Sequence, residues 1–136
     1  MKKLHNMKKI CMMFALILLV SGSGSTVCKA YAWKTMSINQ YTRNYTSSTF
    51  DSHGDMLLNV GAYGATRAGF ATLTVERKSV SGDWTTAYTK TLSLKVGANL
   101  YTHFGTSITN CRNSAVRIKF QSDVVVRFSG SVRYFA

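Results

Sequence analysis

The sequence predicts an all-β protein: a small, mainly antiparallel β-sandwich (or small barrel) of about seven or eight strands behind an N-terminal signal peptide. Three observations carry this. Past Trp33, apolar and polar residues alternate with period two, in segments separated by Gly, Ser, Asn and Asp clusters. No helical stripe follows the N-terminal segment, so the crossovers a parallel sheet requires are missing. Thr, Ser, Val, Tyr and Phe dominate, and the 136-residue chain contains no proline, which leaves every strand free to pair.

The chain opens with MKKLHNMKK, four lysines and no acid, followed by the apolar run ICMMFALILLV and the small, polar SGSGSTVCKAYA. Basic, apolar and small, in that order, is the layout of a secretory signal peptide, and the apolar run falls well short of the roughly 20 residues that span a bilayer. The expected organisation is a signal peptide over residues 1–30 and a single secreted β domain over 31–136. Peptidase pockets accept small residues at −3 and −1. Cys28 with Ala30 places the cut before Tyr31, and Ala30 with Ala32 places it before Trp33. Either cut removes Cys28 and leaves Cys111 alone, as an intermolecular partner or a free thiol. A cut within Ser21–Ser25 would keep Cys28 and allow a Cys28–Cys111 disulfide. The residues flanking Cys111 include no base, which argues against a nucleophile.

The β elements follow in order. SINQYTRNYTSST (37–49) is polar and weakly patterned, an edge strand or an extended arm. MLLNVGAY (56–63) sets Met56, Leu58, Val60 and Ala62 on one face. GFATLTVERK (69–78) sets Ala71, Leu73 and Val75 inward, with Thr72, Thr74 and Glu76 outward. WTTAYTKTLSLKV (84–96) ends in the alternating Leu92, Leu94 and Val96. LYTHFGTSI (100–108) reads as one strand, and SAVRIKFQ (114–121) and VVVRFSGSVRYF (124–135) as two.

Two hairpin registers follow from pairing arguments. A four-residue loop Ser79–Gly82 puts Lys78 opposite Asp83, Leu73 opposite Tyr88, and Arg77 beside Trp84. A three-residue loop Ser122–Val124 puts Phe120 opposite Val126 and Lys119 opposite Arg127. Like charges directly opposite are mildly destabilising unless an anion sits between them. Arg117, Lys119 and Arg127, with Arg133, are therefore the predicted anion- or partner-binding residues, on the outer face of a C-terminal hairpin.

Charge points the same way. The chain has 17 basic and 5 acidic side chains, and residues 1–30 hold five of the lysines and no acid. The remaining domain carries 12 basic groups against 5 acids, a net of +7. Such a surface favours teichoic acid, acidic polysaccharide, anionic lipid or nucleic acid. Export makes nucleic acid an unexpected physiological partner. The aromatics Tyr63, Tyr101 and Phe135 are expected outside the core, where they suit carbohydrate or lipid.

Catalytic constellations are scarce. Asp51-Ser52-His53-Gly54-Asp55 holds the ingredients of a metal site but reads as a turn. His103 reads as a surface histidine beside Tyr101. No G-x-S-x-G, H-E-x-x-H or C-x-x-C is present, and Glu76 has no second carboxylate near it in sequence. No enzyme activity, metal or cofactor is expected. The signal layout and β-rich body resemble small exported proteins of Gram-positive bacteria. Neither a lipobox before Cys28 nor a sortase motif in the final residues Arg133–Ala136 is seen. The expected function is a secreted, non-enzymatic binding or interaction protein of the bacterial cell surface or its surroundings. Its partner would be an anionic envelope polymer or an extracellular protein, with charge retaining it at the wall. The alternative is a secreted antimicrobial or membrane-active protein.

Overall fold

Alternation becomes eight strands: β1 (Trp33–Thr46), β2 (Phe50–Ser52), β3 (Met56–Tyr63), β4 (Gly69–Lys78), β5 (Trp84–Leu94), β6 (Thr102–His103), β7 (Thr106–Ile108) and β8 (Ser114–Phe135). The structure is a computed structural model that describes residues 30–97 and 100–136. The expected signal segment up to residue 29, with Cys11 and Cys28, lies outside the described residues.

All pairings are antiparallel, in one eight-stranded sheet curled to a nearly barrel-like shape. The organiser is β8. Its first half pairs with β4, which carries β5 beyond it, and its second half pairs with β3, which carries β6 and β7. β1 runs along the other side of β8, followed by β2.

The predicted C-terminal hairpin is not formed. Residues 114–135 are one continuous strand, so Lys119 does not face Arg127. Lys119 lies across from Thr46 and Thr74, and Arg127 across from Tyr41 and Tyr63. Ser122-Asp123 makes a corner instead of a turn. Asp123 Oδ2 accepts the Phe70 N–H at 2.9 Å, the Asp123 carbonyl accepts from Arg67 at 3.1 Å, and Ser122 Oγ accepts the Val124 N–H at 3.2 Å. On β1 the register jumps from Thr42↔Val126 to Asn44↔Gln121, so residues 122–125 of β8 swing outside Arg43 alone. Extra residues on one strand bend it and sharpen its twist. Straight, the strand would be roughly 70 Å long, with Phe120 and Phe128 about 26 Å apart. Their rings in fact stack at 4.2 Å, because the corner turns the two halves of β8 face to face.

The core lies between those halves. Met56, Leu58, Val60 and Ala62 of β3, Ala71, Leu73 and Val75 of β4, and Val116, Ile118, Phe120, Val124, Val126, Phe128 and Val132 of β8 are all buried. The expected inward faces of β3 and β4 are therefore the observed ones. On β5, Leu94 is buried and Leu92 partly so, while Val96 is exposed, past the strand end. The segment 100–108 is two short strands because Phe104 leaves the ladder. Its N–H bonds to the Val60 carbonyl and its side chain enters the core.

The β4–β5 connection also departs from its predicted register. Lys78 pairs with Trp84, and a bulge at Ala87 puts Val75 opposite Tyr88. Hydrogen bonds among Ser79, Ser81 and Asp83, with Gly82 at φ +94°, hold a five-residue loop over 79–83. Trp84 is consequently approached by Lys78 and by Arg117 from β8. Arg77 instead donates to the Asn110 carbonyl at 2.7 Å.

Candidate functional site

Every odd-numbered residue of β8 points outward from the core, so Arg117, Lys119, Arg127 and Arg133 share one outer row. They do not converge. Lys119 and Arg127 are eight residues apart on either side of the corner, and their surroundings differ.

Arg117 and Lys119 are occupied. Arg117 Nε donates to Glu76 Oε2 at 2.6 Å, and Lys119 Nζ lies 3.6 Å from Glu76 Oε1. The Arg117 guanidinium also sits 4.2 Å from the centre of the Trp84 ring. A largely buried carboxylate thus pairs with both cations, and an aromatic face also covers Arg117. The pairing was readable in principle, since Glu76 is the one outward acid on β4, directly across from Arg117. The C-terminal hairpin predicted from sequence hides it, because that hairpin pairs Arg117's strand with 124–135 and not with β4.

Arg127 is different. It is exposed and forms no ion pair among the described residues. Tyr41 on β1 and Tyr63 on β3 flank it in register. Together with Asn39 and Gly64 they line an open depression of about 650 Å³. Two residues along β8, on the same face, Ser129 lies between Asn39 and Gly61. The Tyr63 hydroxyl is fixed 2.6 Å from Ser129 Oγ, which holds the ring against the sheet.

A row of rings continues from Tyr63. Tyr101 lies near-parallel to it at 5.1 Å, and His103 near-parallel to Tyr101 at 5.4 Å. Tyr101 Oη and His103 Nδ1 share a hydrogen bond of 2.8 Å. Two glycines make this seat. A Cβ on Gly61 would come within 2.6 Å of the Tyr101 ring, and one on Gly105 would collide with the His103 imidazole. Burial first, then the neighbouring Tyr63, pushes the Tyr101 phenol pKa up, so it stays a neutral hydroxyl. The residue is nonetheless 55% exposed. The sequence places Tyr101 beside His103 but gives no sign that Tyr101 stacks on Tyr63, the residue across from Arg127.

Arg133 occupies the far end of the same outer face. Its guanidinium sits 5.3 Å from the Trp33 ring, which packs edge-on against Phe135. Ser37, Ser131 and Asn59 lie in register between the two ends.

The remaining candidates are structural in setting. Asp51 and Ser52 end β2, Asp55 forms an ion pair with Arg112 at 2.8 Å, and His53 Nδ1 lies 3.3 Å from Asn113 Oδ1. Among the described residues no three His, Cys, Asp or Glu side chains lie close enough to hold a metal. Cys111 is fully buried and forms no disulfide among the described residues; burial raises its thiol pKa, with Arg77 pulling it down. A protonated thiol out of contact with solvent packs as a small apolar group. Among the described residues no helix is long and apolar enough to cross a membrane.

No family model and no curated protein matches the chain. Among solved structures it is similar to the VP2 subviral particle of infectious bursal disease virus, at 11% identity and a TM-score of 0.49. It is also similar to the structures of the Gx strain (12%, 0.46) and the Gt strain (13%, 0.39) of that virus. These likenesses cover 79%, 79% and 83% of this chain, but the chain spans only about a third of each of theirs.

Proposed function

We propose that this is a secreted, non-enzymatic binding protein of the bacterial cell surface or its surroundings, and that it docks to an anionic polymer through the outer face of β8. The observation that carries the reading is Arg127. It is an exposed guanidinium at the mouth of an open depression, set between two tyrosines, with no carboxylate paired to it among the described residues. A guanidinium is a forked donor suited to carboxylate or phosphate oxygens. The net basic charge of residues 31–136 supplies the longer-range attraction. Of the four cations expected to bind, Arg127 and Arg133 carry the contact, and Arg117 and Lys119 are held by Glu76.

The test is polyanion binding at low salt. Arg127→Gln should weaken it by about tenfold, the worth of a charge-assisted hydrogen bond, and flatten its salt dependence. Wild-type protein that binds no polyanion at low salt, or an Arg127→Gln variant that binds as wild type does, refutes the reading.

A second reading, a membrane-active protein, draws on the exposed apolar side chains Phe70, Val96 and Leu100, near Arg67 and Lys95 in sequence. Basic and apolar groups together favour an anionic lipid surface. Dye release from anionic vesicles at sub-micromolar protein would favour this reading over polymer docking.

A further inference from the structure

Resting on the anion-binding reading, we infer that the ligand is an acidic polysaccharide, bound across the outer face of β1, β8, β3 and β6 with sugar rings against the Tyr63–Tyr101–His103 row and a carboxylate on Arg127. A phosphate polymer needs only cations. This face offers three further features. The first is the built aromatic row, near-parallel at 5.1 and 5.4 Å and seated on Gly61 and Gly105, glycines at which a larger residue would displace the rings. Pyranose rings present apolar C–H faces that pack on aromatic carbon surface; with the Tyr63 and Tyr101 hydroxyls tied to Ser129 and His103, what the row offers a sugar is the carbon surface its stacking leaves exposed.

The second is the chemistry between the charged ends. Asn39, Ser129, Ser131, Ser37 and Asn59 lie in register across three strands and present only amides and hydroxyls. These groups both donate and accept, as sugar hydroxyls require, and a polyphosphate with acceptors only would leave half of that capacity unused. The third is the spacing of charge. Arg127 and Arg133 stand six residues apart along β8, about 20 Å, each beside aromatic rings: Tyr41 and Tyr63 at one end, Trp33 at the other. Two cations that far apart, with only neutral groups between them, can be met by carboxylates several sugars apart on one chain with neutral hydroxyls in between, and use a dense run of phosphates poorly.

The experiment compares three probes on the purified protein: oligogalacturonate, its methyl-esterified and therefore neutral form, and inorganic polyphosphate of similar total charge. Oligogalacturonate should bind, the ester should bind more weakly, and polyphosphate should bind with a steeper salt dependence. Tyr101→Ala should weaken oligogalacturonate several-fold to about tenfold and leave polyphosphate within about twofold. His103→Ala is the companion variant. Should Tyr101→Ala unfold, His103→Ala tests the same row, since thermal unfolding reports the fold of each. Polyphosphate bound tightly with no oligogalacturonate binding, or Tyr101→Ala affecting both polymers equally, overturns the sugar inference and leaves the anion reading standing. No polyanion bound at all overturns both.

Discussion

Arg117 and Arg127 sit on the same outward row of one strand, ten residues apart, and their charges lead different lives. Arg117 lies in the half of β8 that pairs with β4, and β4 brings Glu76 to it while β5 brings Trp84. Arg127 lies in the half that pairs with β3, and β3 brings only Tyr63. The strand's alternation fixes which side chains face out. The neighbouring strand decides whether an outward charge is a structural tie or an available group. Counting basic residues along β8 therefore overstates its binding capacity: the first half closes on itself, and the second is open.

The comparison depends on the corner that folds the halves of β8 onto one core. Phe128→Ala removes the ring that stacks on Phe120 and contacts Tyr45. A loss of about 3–5 kcal/mol is expected, with a drop of more than about 12 °C in Tm, and thermal unfolding measures it. A loss under about 1 kcal/mol would mean that the corner is held by the Asp123 hydrogen bonds alone.

The next largest effect inverts the contrast. Glu76→Gln leaves Arg117 and Lys119 without their carboxylate, so the first half of β8 becomes like the second. The Glu76 side chain is 14% exposed, between a surface pair and a buried one. About 1–2 kcal/mol of stability should be lost, while polyanion affinity at low salt should rise. An affinity that falls would show that Glu76 positions the first half for binding, and the division into closed and open halves would fail.

The limits of the sequence reading are physical. The apolar rows of β3 and β4 were legible because both strands bury one face fully, and a one-residue slip would expose the row. The sequence predicts a break between 114–121 and 124–135 because Ser122-Asp123 is a turn-like dipeptide, and local composition does not distinguish a turn from a corner. A signal was present, however. Val116, Ile118, Phe120, Val124 and Val126 keep one parity through the polar pair, which a continuous strand requires. The registers of β1 with β8 and of β8 with β3 depend on long-range pairing, so Tyr41, Arg127 and Tyr63 could not be brought together from sequence. The glycine seats under Tyr101 and His103 were equally invisible, since Gly61 and Gly105 matter only through what rests on them.

Arg117→Gln and Arg127→Gln then sharpen the comparison by opposite outcomes. The first removes the Glu76 pair and the stacking on Trp84, so stability should fall by about 1–2 kcal/mol with polyanion binding within about twofold of wild type. The second should leave Tm nearly unchanged and weaken binding. Equal effects of the two variants on binding would restore the single patch spread along all of β8.

Arg133→Gln carries the smallest effect and probes the open half from within. Arg133 shares with Arg127 the absence of an ion pair among the described residues, but its guanidinium already rests 5.3 Å from the Trp33 ring. An exposed cation–π contact of that kind stabilises by about 0.5–1 kcal/mol. A ligand that draws the guanidinium away must offset that contact. Arg133→Gln should therefore weaken polyanion binding by only about two- to threefold, clearly less than Arg127→Gln, as affinity titrations of the two variants side by side would resolve. Trp33→Ala separates the alternatives if the two losses prove equal. Should it leave binding unchanged or raise it, the ring restrains Arg133. Should it weaken binding as much as Arg133→Gln does, the ring is itself a contact surface, and the aromatic row at Tyr101 has a counterpart at the opposite end of the same face.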